Sequence, residues 1–523
     1  MARMLVSRSL PRRSRATAFV LVALVGASTV LLSCGSSPAK QPADPAKVAA
    51  NPDELVSDRV EAVDAIWKRR LTVSRTEARE GMKNIVWSPR YAQPVRERAI
   101  WWLLSDTEDK ENLDTRTSLS LRLPQELSPD MIAYICGLAG DRNWSEFAAP
   151  AVRSWARRLQ GLDDTERAER KLLEKLSGKS AEAAVFAIFA ATPGADAKLS
   201  PQALDRAEKS RRAAWEVLTR LDADGQTRTA LLATLTPAAA ADPLISDIRA
   251  CATEFSCVPL TDSQLQWLTA LRDFADKTDG AARRQWWTEA AGAVARLSPE
   301  QRAGLRLRHI EPVRWAAANR PQWVAADRQA LLSQIADRIK PRTIYTRTGP
   351  SPTAVLTNDD TLSTNAKSLS WGDCLAILII DDALSTEGVG KELWSQAERD
   401  MKDTSTEYGG LVEVAAPGES KPFRVTLFPP RPTQRSGDNR FVASDDMLRA
   451  GTWALAHYHF HAQRMNNAEY AGPGPGDEEF AIEHGKNCLV FTPVREGDLN
   501  VDFFIAGGIK LDLGVLRQDG IRR

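Results

Sequence analysis

Apolar residues recur at intervals of three and four along the first two thirds of the chain, with charged residues between them. The clearest stretches are PVRERAIWWLLSD, RRAAWEVLTRLDAD, SQLQWLTALRDFAD and RRQWWTEAAGAVARL. Serine before proline, which is typical of a helix entry, separates such stretches in LSPDM and RLSPEQ. The pattern therefore predicts an all-α domain over residues 56–342, with its many tryptophans packed between helices.

Three segments of this region share the sequence Val-Arg-x-x-Ala just after a proline: PVRERA, PAVRSWA and PVRWAA. They resemble the second-helix signature of HEAT-type repeats, in which paired helices stack into a solenoid. Their valines, Val95, Val152 and Val313, have no fixed spacing, although a repeat array should have one. We therefore expect an all-α domain of HEAT-like character without a strict repeat.

The pattern changes after residues 343–368, a segment rich in Thr, Ser, Pro and Asn that we expect to be a linker. From residue 369 onwards, short apolar runs alternate with amphipathic stretches. CLAILIIDDA is expected to be a strand and STEGVGKELWSQAERDMKD a helix, followed by strands in YGGLVEVAA and PFRVTLFPP. Later elements are a helix in SDDMLRAGTWAL, a strand in AHYHFHA, a helix in GDEEFAIEHG and strands in NCLVFTPV, LNVDFFIAGG and IKLDLGVL. The order β-α-β-β-α-β-α-β-β-β predicts an α+β domain over residues 369–523, and hence a multidomain chain.

The first 33 residues have the organisation of an export signal. Several arginines precede an apolar run from Ala16 to Leu32 that is short for a membrane-spanning helix. The following LLSC resembles the lipobox of bacterial lipoproteins, which implies a lipidated Cys34 after cleavage. Residues 34–55 are expected to be a flexible tether. The sequence thus predicts an exported lipoprotein on the periplasmic or cell-surface side of a membrane, and the alternative is an uncleaved signal anchor.

Composition narrows the choice of function. Hydrophobic residues make up 43% and charged residues 26% of the 523 positions, which is typical of a globular protein with a substantial core. A net charge of +1, with no basic stripe and no phosphate-binding glycine loop, gives no case for a nucleic-acid partner. The cysteines other than Cys34 are odd in number and lack a CxxC pair, so buried free thiols are expected.

Four of the five histidines lie between residues 457 and 484. His457, His459 and His461 share one face of the predicted strand, but they span about 13 Å, which is too far for all three to bind one ion. A third ligand would come from elsewhere, and Asp477 at a helix start is the nearest candidate. Glu407, at a glycine turn that leads into a strand, is the candidate general base. The simpler interpretations are that the histidines are exposed polar residues on a strand face, that Asp477 caps its helix and that His484 is a charged helix end.

The motifs EYGGL, HYHFHA, GPGPGDEEFA and CLVFT, in this order, resemble the JAMM (JAB/MPN) metalloprotease family. The resemblance covers residues 370–510 approximately. It implies a zinc site with His459, His461 and Asp477 as ligands, and Glu407 as the base that takes a proton from water. His457 would be an auxiliary neighbour of the metal. The expected activity is cleavage of a peptide or isopeptide bond in a protein substrate.

The sequence departs from the family pattern in three ways. Ala462 replaces the proline after the second histidine, and about four extra residues separate His461 from Asp477. Gly474 stands where the family has a serine that stabilises the oxyanion, and loss of one such donor costs about 10²–10³ in rate.

Three interpretations therefore stay open. The first is a membrane-anchored zinc hydrolase whose helical domain is a platform for substrate or a protein partner. The second is a non-catalytic lipoprotein that uses a degenerate JAMM-like domain for binding or assembly. The third is another metallohydrolase that binds its metal through His457 and His459.

Overall fold

A computed structural model describes residues 44–72, 74–106, 109–191, 200–345, 360–416, 418–435 and 437–522. The predicted signal peptide and Cys34 lie outside the described residues, as do residues 346–359 of the predicted linker. The chain forms two compact units that meet at residues 99 and 100. The long helical region after residue 100 and the C-terminal sheet belong to one unit, so the predicted boundary near residues 343–368 marks a change of secondary structure inside it.

The first unit consists of helices. Its described elements are α1 (Pro45–Ala50), α2 (Val56–Lys68), α3 (Arg75–Trp87) and the start of α4 (Gln93–Leu104). The side chain of Asp44 caps α1 by accepting from the backbone N–H of Ala46, and Arg59 donates to the carbonyl of Ala49 at 3.1 Å. The last part of the segment expected to be a flexible tether is therefore helical and packed against α2.

The second unit begins with a long series of helices that agrees with the apolar periodicity. Their bounds are α5 (Asp109–Arg122), α6 (Pro129–Asp141), α7 (Ala148–Ala156), α8 (Ala168–Ser177), α9 (Ala181–Ala190), α10 (Pro201–Leu221), α11 (Gln226–Ala233), α12 (Pro237–Ala240), α13 (Pro243–Phe255), α14 (Asp262–Arg272), α15 (Gly280–Ala295), α16 (Pro299–Arg302), α17 (Ile310–Asn319), α18 (Pro321–Ala325), α19 (Arg328–Ile339) and α20 (Leu362–Asn365). Neighbouring helices pack pairwise, as in α9 with α10, α6 with α8 and α15 with α17. Two of the three Val-Arg-x-x-Ala segments lie in α7 and α17, where Val152 and Val313 are fully buried.

The segment CLAILIIDDA is a helix, so its prediction as a strand is wrong. Helix α21 (Trp371–Leu384) begins at Ser370, whose hydroxyl accepts from the N–H of Asp373 while the Asp373 carboxylate accepts from the N–H of Ser370. Nearly every residue of α21 is buried, because α17 and α19 pack against it. A helix buried on all sides has no polar face, and its short apolar run therefore looks like that of a buried strand.

The remaining predicted elements of the C-terminal region are found in the predicted order. Three helices, α22 (Val389–Asp400), α23 (Asp445–Ala450) and α24 (Pro475–His484), accompany six strands. The strands are β1 (Gly409–Val414), β2 (Phe423–Leu427), β3 (Ala456–Phe460), β4 (Cys488–Arg495), β5 (Asp498–Ile505) and β6 (Ile509–Arg517).

The six strands form one mixed sheet in the order β2-β1-β3-β4-β5-β6. Only the pairing of β3 with β4 is parallel in the described sheet, and helix α24 makes the connection between these two strands. The described chain is thus mostly helical with a mixed α+β region at its C-terminal end, which is the coarse architecture expected from the sequence.

Specific polar contacts join the helices to the sheet region within the second unit. Arg308 and His309 both contact Oδ1 of Asp373 at 2.8 Å, and the Trp267 indole N–H donates to the carbonyl of Thr452 at 2.8 Å. The Lys486 ammonium lies over the Trp267 ring. No helix in the described ranges has the length and the apolar character that a membrane span requires.

The cysteines after Cys34 are buried free thiols, as the sequence predicts. Cys251 and Cys257 come nearest to each other, with their sulfur atoms 3.8 Å apart.

Candidate metal centre

The candidate site lies on the face of the sheet beside strands β1 and β3. In the antiparallel pairing of these strands, Gly409 is the register partner of His459, and Glu407 lies two residues before Gly409. His461 follows the end of β3, where its backbone N–H donates to the carbonyl of Phe491 at 2.9 Å. The EYGGL and HYHFHA motifs are therefore adjacent because their strands pair.

The donor atoms of His459, His461 and Asp477 lie close together in a group that we call the donor triangle after its three residues. The Nε2 atoms of the two histidines are 3.2 Å apart, and Asp477 places Oδ1 at 3.1 Å from His459 Nε2 and Oδ2 at 3.3 Å from His461 Nε2. Tetrahedral coordination with bonds of about 2.0–2.1 Å requires donor–donor edges of about 3.3–3.4 Å. Asp477 approaches each histidine with a different oxygen, so the distances do not join the same three atoms, but each of them is close to the length of such an edge.

Glu407 lies beside this donor triangle. The ligand atoms of Glu407, His459 and His461 lie within 4.8 Å of one another, so these three residues can hold a metal ion. Asp477 also contacts both histidines, at 3.1 and 3.3 Å, so it is a further carboxylate within reach of the same two rings. Burial raises the pKa of Glu407 above its usual value, because it disfavours the charged carboxylate.

The charges of the triangle stabilise one another. Burial alone would lower the pKa of His461, but its hydrogen bond and ion pair with Asp477 outweigh burial and raise the pKa to about 9. Burial would likewise raise the pKa of Asp477, whereas the two histidines hold it well below its usual range. A cation bound between these groups would replace the protons that now balance the carboxylate.

Asp477 occupies a position that explains both interpretations of its role. It is the third residue of α24, and its Oδ2 accepts from the backbone N–H of Gly474 at 2.7 Å. The same carboxylate contacts both histidines, so the helix cap and the ligand geometry occur together. The side-chain hydrogen bond to Gly474 holds the carboxylate in its orientation.

The extra residues between His461 and Asp477 orient the second histidine. They include a 3₁₀ turn, Ala468–Tyr470, and the carbonyl of Tyr470 lies 2.8 Å from Nδ1 of His461. Because a carbonyl only accepts, Nδ1 carries a proton, so Nε2 is the ring atom that gives up its proton and offers a lone pair when the ring is neutral. The longer loop thus supplies the outer hydrogen bond that histidine ligands of metals usually make.

Two residues that position the site were not identified from the sequence. Gln463 donates from Nε2 to Oε1 of Glu407 at 2.9 Å, and the buried Asn467 donates to the carbonyl of His461 at 2.8 Å. Asn467 also donates to the side-chain oxygen of Gln463. The sequence offers one hint of this role, which is that Gln463 lies two residues after His461. The hydrogen bonds of Gln463 and Asn467 themselves depend on the fold.

All the predicted site residues in the C-terminal region line one cavity of about 920 Å³. These residues are Glu407, His457, His459, His461, Gly474 and Asp477. His457 lies outside the group of mutually close donors, and both of its ring nitrogens are buried. The geometry therefore favours the pair His459 and His461 over the pair His457 and His459 as ligands.

His484 ends α24 at the predicted place, but its charge differs from the expectation. Burial lowers its pKa to about 4, so the ring is neutral near pH 7 instead of a charged helix end.

Comparison of the chain with protein-family models, curated proteins and solved structures finds no match.

Proposed function

We propose that the protein is a zinc-dependent hydrolase of JAMM type that cleaves a peptide or isopeptide bond. The observation that carries the proposal is the triangle of donor atoms from His459, His461 and Asp477, with the raised-pKa carboxylate of Glu407 beside it. Two imidazoles and one carboxylate with an adjacent acid–base residue are a typical set for catalytic zinc. The geometry supports a metal site, and the proposal adds the identity of the metal as zinc and of the reaction as hydrolysis.

A bound Zn²⁺ would lower the pKa of a water molecule and polarise the substrate carbonyl. Glu407 takes the proton from the attacking water and later delivers it to the leaving amine. Gln463 holds one carboxylate oxygen of Glu407 by its amide N–H, which fixes the direction of the base. Burial of the carboxylate keeps bulk water away from the proton that it carries.

The position of Gly474 favours the second candidate function, a non-catalytic domain used for binding or assembly. In the related family pattern a serine at this position donates to the oxyanion, and glycine has no side-chain donor. The backbone N–H of Gly474 is already bonded to Asp477. In this second case the metal would stabilise the fold and shape a binding surface.

The predicted lipid anchor at Cys34 and the helices complete the proposed organisation. An exported lipoprotein would carry the site at a membrane surface, and the HEAT-like helices would be a platform for a protein substrate or partner. The pairwise packing of helices before α21 supports the platform, as does the close contact of α14 with α24, which carries Asp477.

The proposal is tested with the full chain, purified in detergent and loaded with one equivalent of zinc. Mixed peptide and isopeptide libraries are incubated with the wild type and with Glu407→Gln, and new amino groups are detected by mass spectrometry. We expect cleavage by the wild type and a loss of at least 10³-fold in Glu407→Gln, with zinc retained in both. Equal product from both variants would contradict the catalytic assignment, and no product from zinc-loaded wild type would favour the binding function.

A further inference from the structure

Two cysteines at the end of helix α13 lie close enough together to react with each other. Cys251 belongs to α13, and Cys257 follows the end of this helix. Both residues are buried, with 0% and 5% of their surface exposed, and their sulfur atoms are 3.8 Å apart. A disulfide bond is about 2.05 Å long, so the two side chains have to close a gap of about 1.8 Å to form one.

A residue in the left-handed backbone conformation turns the chain back towards α13 after the helix ends. This residue is Ser256, with φ 55° and ψ 27°, a conformation that residues other than glycine rarely adopt. Phe255, the last residue of α13, is fully buried, and its ring lies 4.2 Å from the Trp287 ring, measured between centroids. The packing thus fixes the turn, and the turn holds the two thiols beside each other before a bond forms.

The other buried thiols of the second unit lack a partner of this kind. Within the described ranges, the sulfur atoms of Cys136, Cys374 and Cys488 do not contact another cysteine. Cys488 donates to the carbonyl of Lys486 instead. Burial of cysteines is therefore general in this unit, whereas contact between two sulfur atoms is specific to the pair at the end of α13.

The segment that follows Cys257 joins the helices to α24. Arg228 donates to the carbonyl of Leu260 at 3.0 Å, and the hydroxyl of Thr261 donates to the carbonyl of Glu483 in α24 at 2.6 Å. Helix α14, which starts directly after Thr261, packs against α24 as well. Because α24 also carries the carboxylate of the donor triangle, the position of this segment influences the candidate metal centre.

We propose that Cys251 and Cys257 form a disulfide bond when the protein meets an oxidant of the disulfide class, and that the bond braces the turn that supports α24. The thiolate of one cysteine attacks the oxidant and displaces one thiol, which leaves a mixed disulfide. The thiolate of the other cysteine then displaces the second thiol. Two cysteine thiols are thereby oxidised, the oxidant is reduced to two thiols, and these thiols take up the two protons. The bond does not depend on the proposed hydrolase function.

Burial determines when the bond forms and how long it lasts. It raises the pKa of the Cys251 thiol well above its ordinary value, so little thiolate is present in the folded protein. Oxidation therefore proceeds while the end of α13 is open, during folding or during a local opening of this helix end. Once formed, the bond is shielded from attacking thiolates by the same packing. An exported protein, as the sequence predicts for this chain, folds where such oxidants are present.

The first test equilibrates the purified full chain, in detergent and in urea below its unfolding transition, with reduced and oxidised glutathione. Remaining thiols are alkylated under denaturing conditions, and the chain is cleaved after arginine, lysine and glutamate. Cleavage after Glu254 separates Cys251 from Cys257, so their fragments stay joined only by a disulfide. We expect joined fragments in the oxidising mixture and full alkylation of the control thiols, which are Cys136, Cys374 and Cys488. Complete alkylation of Cys251 and Cys257, or their bonding to a control thiol, would overturn the proposal.

The second test measures whether the bond braces the turn. Amide hydrogen exchange is compared between oxidised and reduced wild type, and in Cys257→Ser under the same two conditions. We expect oxidation to slow exchange over residues 256–264 at least about tenfold, since the bond restrains the local opening, and to leave α6 with its Cys136 unchanged. Cys257→Ser should show no effect of the oxidant. Equal exchange in oxidised and reduced wild type, a comparison that needs no variant, would overturn the bracing role, as would an equal effect of the oxidant in Cys257→Ser.

Discussion

The aromatic ring of Phe441 lies flat against the imidazole of His459, with 5.4 Å between ring centroids and 9° between ring planes. Gly409, the register partner of His459, makes this contact possible. A Cβ atom on Gly409 would lie 2.5 Å from two atoms of the Phe441 ring and from the carbonyl oxygen of Tyr458. The first glycine of EYGGL thus allows an aromatic ring to hold a donor histidine in its orientation.

Gly409→Ala should therefore damage both stability and metal binding. Overpacking at this contact is expected to reduce the free energy of unfolding by about 1–3 kcal/mol. Displacement of Phe441 should also weaken zinc binding at least tenfold, measured by competition with a chelating dye. The matched control is Gly476→Ala in the same cavity, where a Cβ meets nothing within 4 Å. Equal zinc affinity in Gly409→Ala and the control would contradict the role of the stacked ring.

Gln463→Leu should reduce catalysis while zinc is retained. Outer hydrogen-bond partners of this kind typically contribute 10- to 100-fold, and we expect a loss of that size in kcat. A hydrogen bond to a carboxylate favours its ionised form, so its removal should raise the pKa of Glu407 further. The acidic limb of the kcat/KM profile should then move to higher pH. An unchanged pH profile with reduced kcat would indicate a merely structural role for Gln463.

Gly474→Ser should increase the rate of hydrolysis. The backbone at Gly474 has φ −86°, which any residue adopts, and a Cβ would lie at an ordinary 3.5 Å from Oδ2 of Asp477. The serine hydroxyl would supply the missing oxyanion donor, and a gain of about tenfold or more in kcat is expected. Zinc affinity should change little, which separates the effect from an altered metal centre. A lower kcat with intact zinc binding would show that this position does not face the oxyanion.

Asp373→Asn should destabilise the contact between the helices and α21, and the effect should depend on pH. Burial would raise the pKa of Asp373, but Arg308 and His309 hold it well below its usual range. The pKa of an aspartate in the unfolded chain is about 3.9. The Asp373 carboxylate therefore contributes its full stabilisation above about pH 3.9 and loses it as the pH falls through its lower pKa in the folded protein. At pH 7 the variant should lose about 3 kcal/mol in urea unfolding. A variant whose stability declines as steeply below pH 4 as the wild type would contradict this role.

The contrast between α21 and the strands explains how much of the fold could be predicted. Strands β1 to β6 each have flanking glycine, proline or polar residues that mark their ends, and they were located correctly. The run CLAILIIDDA gives no such information, because its residues from Cys374 to Ile380 are all buried where α17, α19 and α22 pack against α21. Ser370 and Asp373, which form the capping box of α21, are the local sequence signal for a helix at this place.

The sequence motifs predict which residues belong to the candidate site, but not all of the contacts between them. The spacing of His459 and His461, and the position of Asp477 at a helix start, follow from local sequence. The choice between His457 and His461 as partner of His459 does not, because it depends on the strand ending at Phe460 so that His461 can turn towards Asp477. The hydrogen bond from Gln463 to Glu407 joins residues 56 positions apart and is a product of the fold.

The most direct test of the metal centre is the zinc content of the purified full chain, measured by elemental analysis. The wild type is compared with the double variant His459→Ala, His461→Ala and with Glu407→Gln. The geometry predicts one equivalent of zinc in the wild type, loss of zinc in the double variant and full retention in Glu407→Gln. Absence of bound metal from the wild type, even after zinc is supplied, would contradict the account, and loss of zinc in Glu407→Gln would make Glu407 a ligand instead of the base.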